Sequence, residues 1–113
     1  MNDSLHRLLE RYAIFVGTGS FQGKLYDIGR YPGAVRSRRN TDRVMGEIYR
    51  LSEPRRALEI LDKYEGHRFR RKRVTIFQED GKSIDCWIYL YARSVKRHPR
   101  ITSGDYIQYR NSF

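Results

Sequence analysis

One acidic side chain, Glu65, is the candidate centre of chemistry in this sequence. It lies between Tyr64 and Gly66 in the segment Leu-Asp-Lys-Tyr-Glu-Gly (residues 61–66), where a helix is predicted to end. A glutamate at a helix C-terminus is usually solvated, and the negative end of the helix dipole makes its charge mildly unfavourable there. A carboxylate shielded from water could instead act as a general acid and base. The residues alone favour the solvated interpretation, although the unfavourable position gives a reason to ask why a glutamate occurs there.

The other reactive side chains fit no metal-binding or nucleophilic pattern. The histidines His6, His67 and His98 follow no metal-ligand spacing. The Gly-Thr-Gly-Ser run at residues 17–20 lacks the Gly-Lys-Ser/Thr ending of a phosphate loop and is typical of a bend between strands. A lone cysteine, Cys86, cannot form an intrachain disulfide, which favours a reducing, cytoplasmic compartment; a small buried strand residue is the favoured interpretation, and a reactive thiol the alternative. We therefore expect no metal and no cofactor.

The charge of the chain predicts an attraction to anions. Lys and Arg number 23 against 13 Asp and Glu, a net charge of +10, and the basic residues cluster at 36–39 and 68–73. Nucleic-acid binding is one interpretation. A solvated loop and one exposed strand face is the other, and alternation in the second cluster favours it, because Arg71, Arg73 and Thr75 can face water. No apolar stretch approaches the roughly 20 residues of a membrane span, so no membrane partner is expected.

The elements that must position Glu65 fit one domain, residues 1–113. Ahead of it the patterns predict a helix over residues 5–12 and a strand at 13–16. This strand should bend at 17–20 and then either continue at 21–28 or give way there to a second strand. A turn at 29–33, an exposed loop at 35–43 and a strand at 44–51 should follow. Ser52 should cap the next helix, with Pro54 in its first turn. Ala57, Leu58, Ile60 and Leu61 should face inward along this helix, which should end at Gly66.

Beyond Glu65 the sequence predicts a β-hairpin. Strands at residues 69–78 and 83–92 flank Glu-Asp-Gly-Lys, and Asp-Gly between alternating strands is a strong hairpin signal. The second strand is apolar on both faces, which predicts that both faces are covered. The tail from residue 93 should be mostly loop, with residues 101–106 its most structured part. The element order predicts an α+β domain on a largely antiparallel sheet.

Five ordered segments resemble the γ-glutamylcyclotransferase-like (AIG2-like) family, in its short bacterial form. They are residues 23–35, 44–51, 61–66, 87–91 and 103–106, and the resemblance runs over about residues 5–109. It implies an α+β fold with a mixed, largely antiparallel sheet, partly closed into a small barrel, and two short helices. It also implies a cavity into which a catalytic glutamate points, and that glutamate falls on Glu65.

The resemblance implies intramolecular acyl transfer on a small γ-glutamyl substrate, releasing 5-oxoproline and an amine. One carboxylate, Glu65, would take a proton from the attacking amine and return one to the leaving nitrogen. Tyr31, Tyr89 and Tyr106 are the expected substrate-binding residues, and packing of the cavity wall is the alternative role for these rings.

The chain departs from the family at its start. The family pattern opens with a strand and a Tyr-Gly-Ser/Thr-Leu loop whose amides hold the substrate carboxylate, and no such segment occurs in these residues. We therefore expect an N-terminally truncated domain with weak or no activity and an unpaired sheet edge, and hence a homo-oligomer. A non-catalytic oligomeric or nucleic-acid-binding module on the same fold is the alternative.

Overall fold

A computed structural model describes residue 7 and residues 10–112 of the chain. Residue 7 and residues 10–12 are helical and lead into the first strand, β1 (Ala13–Asp27). The other residues of the helix predicted over 5–12, with Leu5, Leu8 and Leu9, lie outside the described residues. In the described part of the chain no helix is long and apolar enough to cross a membrane.

The sheet is organised around β1, which is 15 residues long. It pairs antiparallel with four strands: β2 (Pro32–Arg36), β3 (Arg43–Leu51), β4 (Phe69–Gln78) and β6 (Arg100–Ile101). The register with β3 shifts between Phe15 and Gly17, where Gly17 has φ 149°. A β-bulge takes up the extra residue, so the predicted bend at residues 17–20 is wrong, but the alternative that the strand continues beyond them is confirmed.

The hairpin of β4 and β5 (Ser83–Tyr91) confirms its prediction almost to the residue. Its strands pair from Phe69 opposite Tyr91 to Phe77 opposite Ser83. Gly81 has φ 85° in the connecting turn, a conformation that favours glycine. The hairpin is thus fixed locally, by its turn and by alternation.

The core lies on one face of this sheet. Val74 and Ile76 of β4 are buried there, while Arg71 and Arg73 occupy the alternate positions on the other face. The buried cluster comprises Phe21, Leu25, Ala34, Val44, Ile48, Val74, Ile76, Leu90 and Ile101. The strand order is β2-β1-β4-β5, with β3 and β6 also paired to β1. The structure confirms the α+β antiparallel fold, although within the described residues no ladder joins β2 to β5 and the sheet is therefore not closed.

Helix α1 (Pro54–Glu65) begins differently from its prediction. Its N-cap is Glu53, in the left-handed region at φ 50°, and no side chain caps the helix. Ser52 is committed elsewhere, because its amide and hydroxyl both donate to the Tyr12 carbonyl oxygen, at 2.8 and 3.2 Å. The prediction that Ser52 is the cap was therefore wrong; Pro54 does open the helix, as predicted.

Fewer residues of α1 are buried than its apolar pattern predicted. Ala57 is 1% exposed, but Ile60 is 37% exposed and does not face inward as expected. The helix ends at Gly66, which has φ 68° and donates its amide to the Asp62 carbonyl, as the glycine predicted. A short 3₁₀ turn, Gly66–Arg68, connects it to β4.

The predicted exposed loop at residues 35–43 is wrong at both ends. Its first residues belong to β2, and Asp42 near its end is buried. Asp42 accepts hydrogen bonds from the Ser37 hydroxyl at 2.5 Å and from Arg100 Nη2 at 2.9 Å. These partners lower the pKa of the Asp42 carboxyl and tie the loop to β6.

The tail is more ordered than predicted. Ile101 is 2% exposed, and a further helix, α2 (Tyr106–Asn111), follows it. Asp105 caps α2 by accepting from the Gln108 amide at 3.1 Å. The intervening Gly104 has φ 69° and donates its amide to the Ile101 carbonyl. This segment holds the N-terminus of α2 against β3.

Candidate active site

A cavity of about 900 Å³ brings α1, β5 and α2 together. Glu65, Tyr89 and Tyr106, three of the four residues singled out from the sequence, line it. Much of the remaining wall is apolar, contributed by Phe21, Leu25, Ala34, Val44, Ile48, Leu58, Leu61, Ile76 and Ile88. This volume suits a small-molecule site, which typically measures about 300–1,000 Å³.

Glu65 is the last residue of α1 and is partly buried. Burial raises the pKa of its carboxyl above the ordinary value of 4.5, because a charged carboxylate loses hydration there. Gly66 ends the helix directly after it, so the backbone turns away while the side chain of Glu65 borders the cavity. A carboxyl in this position can exchange protons with a bound molecule.

Tyr89 lies beside this carboxyl on β5. Its hydroxyl donates a 2.5 Å hydrogen bond to Asp62 Oδ1. Burial, this hydrogen bond and the nearby carboxylates raise the pKa of Tyr89, which therefore stays neutral at physiological pH.

Asp62 and Arg71 lie outside the cavity lining but adjoin the site through Tyr89, and the sequence reasoning missed both. Arg71 Nε lies 2.9 Å from Asp62 Oδ1 and Nη2 lies 3.2 Å from Oδ2, a bidentate pair. The hydrogen bond from Tyr89 and the pair with Arg71 lower the pKa of Asp62. The available signal was spacing, because Asp62 precedes Glu65 by three residues and such residues are neighbours on a helix. Arg71 had been assigned to a solvated strand face.

Tyr106, at the start of α2, reaches the cavity from another direction. It is partly buried against the core, and the Arg110 guanidinium lies 5.9 Å from the centre of its ring. Its ring is thus a wall of the cavity that Glu65 borders.

Tyr31 lies elsewhere. It is 37% exposed, its hydroxyl accepts from Arg68 Nη1 at 3.0 Å, and its ring packs 5.8 Å from that of Phe69. It does not line the cavity that Glu65, Tyr89 and Tyr106 share. The structure therefore separates Tyr31 from the other three.

The only cysteine of the chain, Cys86, also lines the cavity. Cys86 is a free thiol packed partly against the core, and burial, with Asp85 beside it, raises its pKa. Within residue 7 and residues 10–112, no three His, Cys, Asp or Glu side chains are grouped as metal ligands.

The outer face of the hairpin carries an exposed aromatic residue beside basic groups. Trp87 is 46% exposed, so the prediction that both faces of β5 are covered was wrong. The guanidiniums of Arg71 and Arg73 lie 4.5 and 5.6 Å from the centre of its ring, within cation–π range. The α1 helix reaches only the Arg71 end of this face, through Asp62.

Sequence and structure comparisons place the chain among known proteins. Residues 1–108 match the family described as gamma-glutamyl cyclotransferase, AIG2-like. A protein of Methanocaldococcus jannaschii, named provisionally as a gamma-glutamylcyclotransferase, is 33% identical over 98 residues, which are 85% of this chain and 78% of that protein. A protein of Vibrio cholerae with the same provisional name is 36% identical over 94 residues, 80% of this chain and 75% of that one.

A solved structure supports the same fold. The crystal structure of a protein specific to uropathogenic E. coli superposes with a TM-score of 0.74 at 22% identity, covering 96% of this chain and 86% of that one. The family match over nearly the whole chain and the two relatives agree with the resemblance noted in the sequence. The chain belongs to the gamma-glutamyl cyclotransferase, AIG2-like family.

Proposed function

We propose that the chain carries out γ-glutamylcyclotransferase-type acyl transfer, with Glu65 as its acid–base residue. The observation that carries the proposal is a partly buried glutamate of raised pKa bordering a largely apolar cavity. Family membership supports the same activity.

The reaction needs one proton acceptor and one proton donor. The Glu65 carboxylate takes a proton from the α-ammonium of the γ-glutamyl substrate, and the freed amine attacks the γ-carbonyl carbon. A carbon–nitrogen bond forms to close the five-membered ring. The protonated Glu65 then gives its proton to the leaving nitrogen, and the original amide bond breaks to release 5-oxoproline. The ring nitrogen loses its second proton in this step, and the departing amine takes that proton up and leaves as an ammonium.

The raised pKa of Glu65 suits this double role. A base is most effective when its pKa lies close to the working pH, because it is then deprotonated yet still basic. Tyr89 and Tyr106 are the proposed substrate-binding residues within the cavity, and Tyr31 is a proposed contact for a substrate that extends past its rim.

We propose that turnover by these 113 residues is weak, because the sequence contains no Tyr-Gly-Ser/Thr-Leu segment to hold the glutamyl carboxylate. The test measures 5-oxoproline released from a panel of γ-glutamyl amines and γ-glutamyl amino acids. Release from at least one of them supports the function, and no release from any contradicts it. A reducing, cytoplasmic location is proposed with it, since Cys86 is a free thiol.

A nucleic-acid-binding module is the second candidate, and the Trp87 face favours it. An exposed ring flanked by Arg71 and Arg73, in a chain of net charge +10, could stack on a base while the arginines meet phosphates. A steeply salt-dependent affinity for single-stranded DNA or RNA would support this module. Binding that does not change with salt, or no binding, would contradict it.

We also propose self-association through β5. Among the described residues this nine-residue strand forms a hydrogen-bonded ladder only with β4, so its other edge is unpaired, although the Tyr91 end lies close to Gly33 of β2. Asp85 is its only charged residue, so it lacks the lysines that commonly protect edges.

Light scattering over a micromolar concentration series should therefore give a mass above that of one 13.6 kDa chain. The expected species is a homodimer. A constant monomer mass across the series would contradict association through this edge.

A further inference from the structure

Three side chains near Glu65 form a hydrogen-bonded group: Asp62 on α1, Arg71 on β4 and Tyr89 on β5. Asp62 is the common acceptor: its Oδ1 accepts a 2.5 Å hydrogen bond from the Tyr89 hydroxyl, and both of its oxygens accept from Arg71. Arg71 and Tyr89 are directly opposite each other in the hairpin register. The group therefore joins the helix that carries Glu65 to both strands of the hairpin.

The direction of the Tyr89 hydrogen bond has a chemical consequence. A tyrosine hydroxyl has one proton to donate and lone pairs that accept. Since its proton is committed to Asp62, the Tyr89 oxygen can offer only lone pairs to a molecule in the cavity. Such an oxygen matches a substrate N–H and rejects a substrate carbonyl or carboxylate oxygen.

Arg71 holds the Asp62 carboxylate in a fixed orientation. Its two contacts fix both oxygens of Asp62, and its guanidinium also lies 4.5 Å from the centre of the Trp87 ring. A bidentate pair restrains the plane of the carboxylate, which a single contact would leave free to rotate.

We propose that Asp62 is a positioning residue, which holds the Tyr89 hydroxyl so that its oxygen accepts a hydrogen bond from an N–H of the γ-glutamyl substrate. The inference rests on the proposed function and assigns Asp62 and Arg71 a place in it. Asp62 does not itself touch the substrate in this arrangement. Its effect on turnover must therefore pass through Tyr89.

A double-mutant cycle tests this dependence. Asp62→Asn should lower kcat/KM for 5-oxoproline release by about tenfold to a hundredfold, the usual cost of a misplaced hydrogen bond to a charged group. In the Tyr89→Phe background the same change should have almost no further effect, because the hydroxyl it positions is gone. Equal losses in both backgrounds would overturn the proposal. Asp80→Asn, in the hairpin turn, is the matched control and should leave kcat/KM unchanged.

A spectroscopic titration tests the contact without relying on turnover. Asp62 and Glu65 raise the pKa of Tyr89 and Arg71 lowers it, so removing the charge of Asp62 should lower the pKa of Tyr89. The ultraviolet absorbance of tyrosinate is followed with pH in the parent and in Asp62→Asn, each with and without Tyr89→Phe.

The difference between the curves with and without Tyr89→Phe gives the titration of Tyr89 alone, one of the nine tyrosines of the chain. A Tyr89 curve that does not move towards lower pH in Asp62→Asn overturns the contact and the proposal with it. A curve that moves while no substrate is turned over retains the contact and rejects the proposed function instead. Thermal unfolding checks that each variant folds. We expect the variants to fold, because a partly exposed ion pair contributes little to stability.

Discussion

Replacing Glu65 by glutamine is expected to lower 5-oxoproline release by about 10²–10⁴-fold, the usual contribution of a general acid–base residue. Glutamine keeps the size and much of the polarity of the side chain but can neither take nor return the proton. Glu59→Gln, at an exposed position of the same helix, is the matched control and should behave like the parent. Activity of Glu65→Gln equal to that of Glu59→Gln would remove Glu65 from the reaction.

The pH dependence of kcat/KM in the parent protein is a second test of Glu65. Glu65 must be ionised to accept a proton, so kcat/KM should rise with pH through its pKa. Because burial raises that pKa, the rise should lie above the ordinary glutamate value of 4.5. A group whose folded pKa is raised favours folding below its unfolded pKa and loses that contribution as pH rises through the folded value. Glu65→Gln should therefore not be less stable than the parent at neutral pH.

Gly104→Ala is expected to be the most damaging single-methyl change, destabilising the fold by about 3 kcal/mol or more. Two causes add: Gly104 has φ 69°, and a Cβ built there would lie 1.8 Å from the Arg43 carbonyl oxygen. Because the Arg43 carbonyl belongs to the backbone, it cannot rotate away from the added methyl group as a side chain could. The midpoint of thermal unfolding should fall by roughly 10 °C or more.

Gly81→Ala separates the two causes. Gly81 has φ 85°, but a Cβ there would meet nothing within 4 Å. It should therefore show only the conformational cost, about 1–2 kcal/mol. Similar losses in the two variants would mean that the close approach of Gly104 to β3 does not contribute.

The parts of the fold that the sequence predicted well are those whose signals are local. The β4–β5 hairpin follows from Asp-Gly and alternation, and the end of α1 follows from Gly66, because each depends on residues within a few positions. The role of Ser52 could not be read in the same way, since its partner is the distant Tyr12 carbonyl. Likewise α2 is a short helix stabilised by its packing against the core, which its own sequence does not reveal.

The same distinction between local signals and tertiary contacts applies to the site. Composition alone left Glu65 as a solvated helix end, and only the resemblance to a family singled it out. The grouping of Asp62, Arg71 and Tyr89 joins a helix to two strands, so it requires the tertiary arrangement. Tyr31 lies in a matching segment but outside the cavity lining, so its proposed contact with a substrate depends on the tertiary arrangement as well.

Trp87 gives the molecule a built-in optical reporter. It is the only tryptophan of the chain, and its indole is half exposed between two guanidiniums on the hairpin. Its emission on unfolding would report the hairpin, while far-ultraviolet circular dichroism reports every helix and strand. Coincidence of the two transitions would show that the hairpin unfolds together with the other helices and strands, including the tail at residues 100–111. Separate transitions would show that the hairpin unfolds independently of part of them.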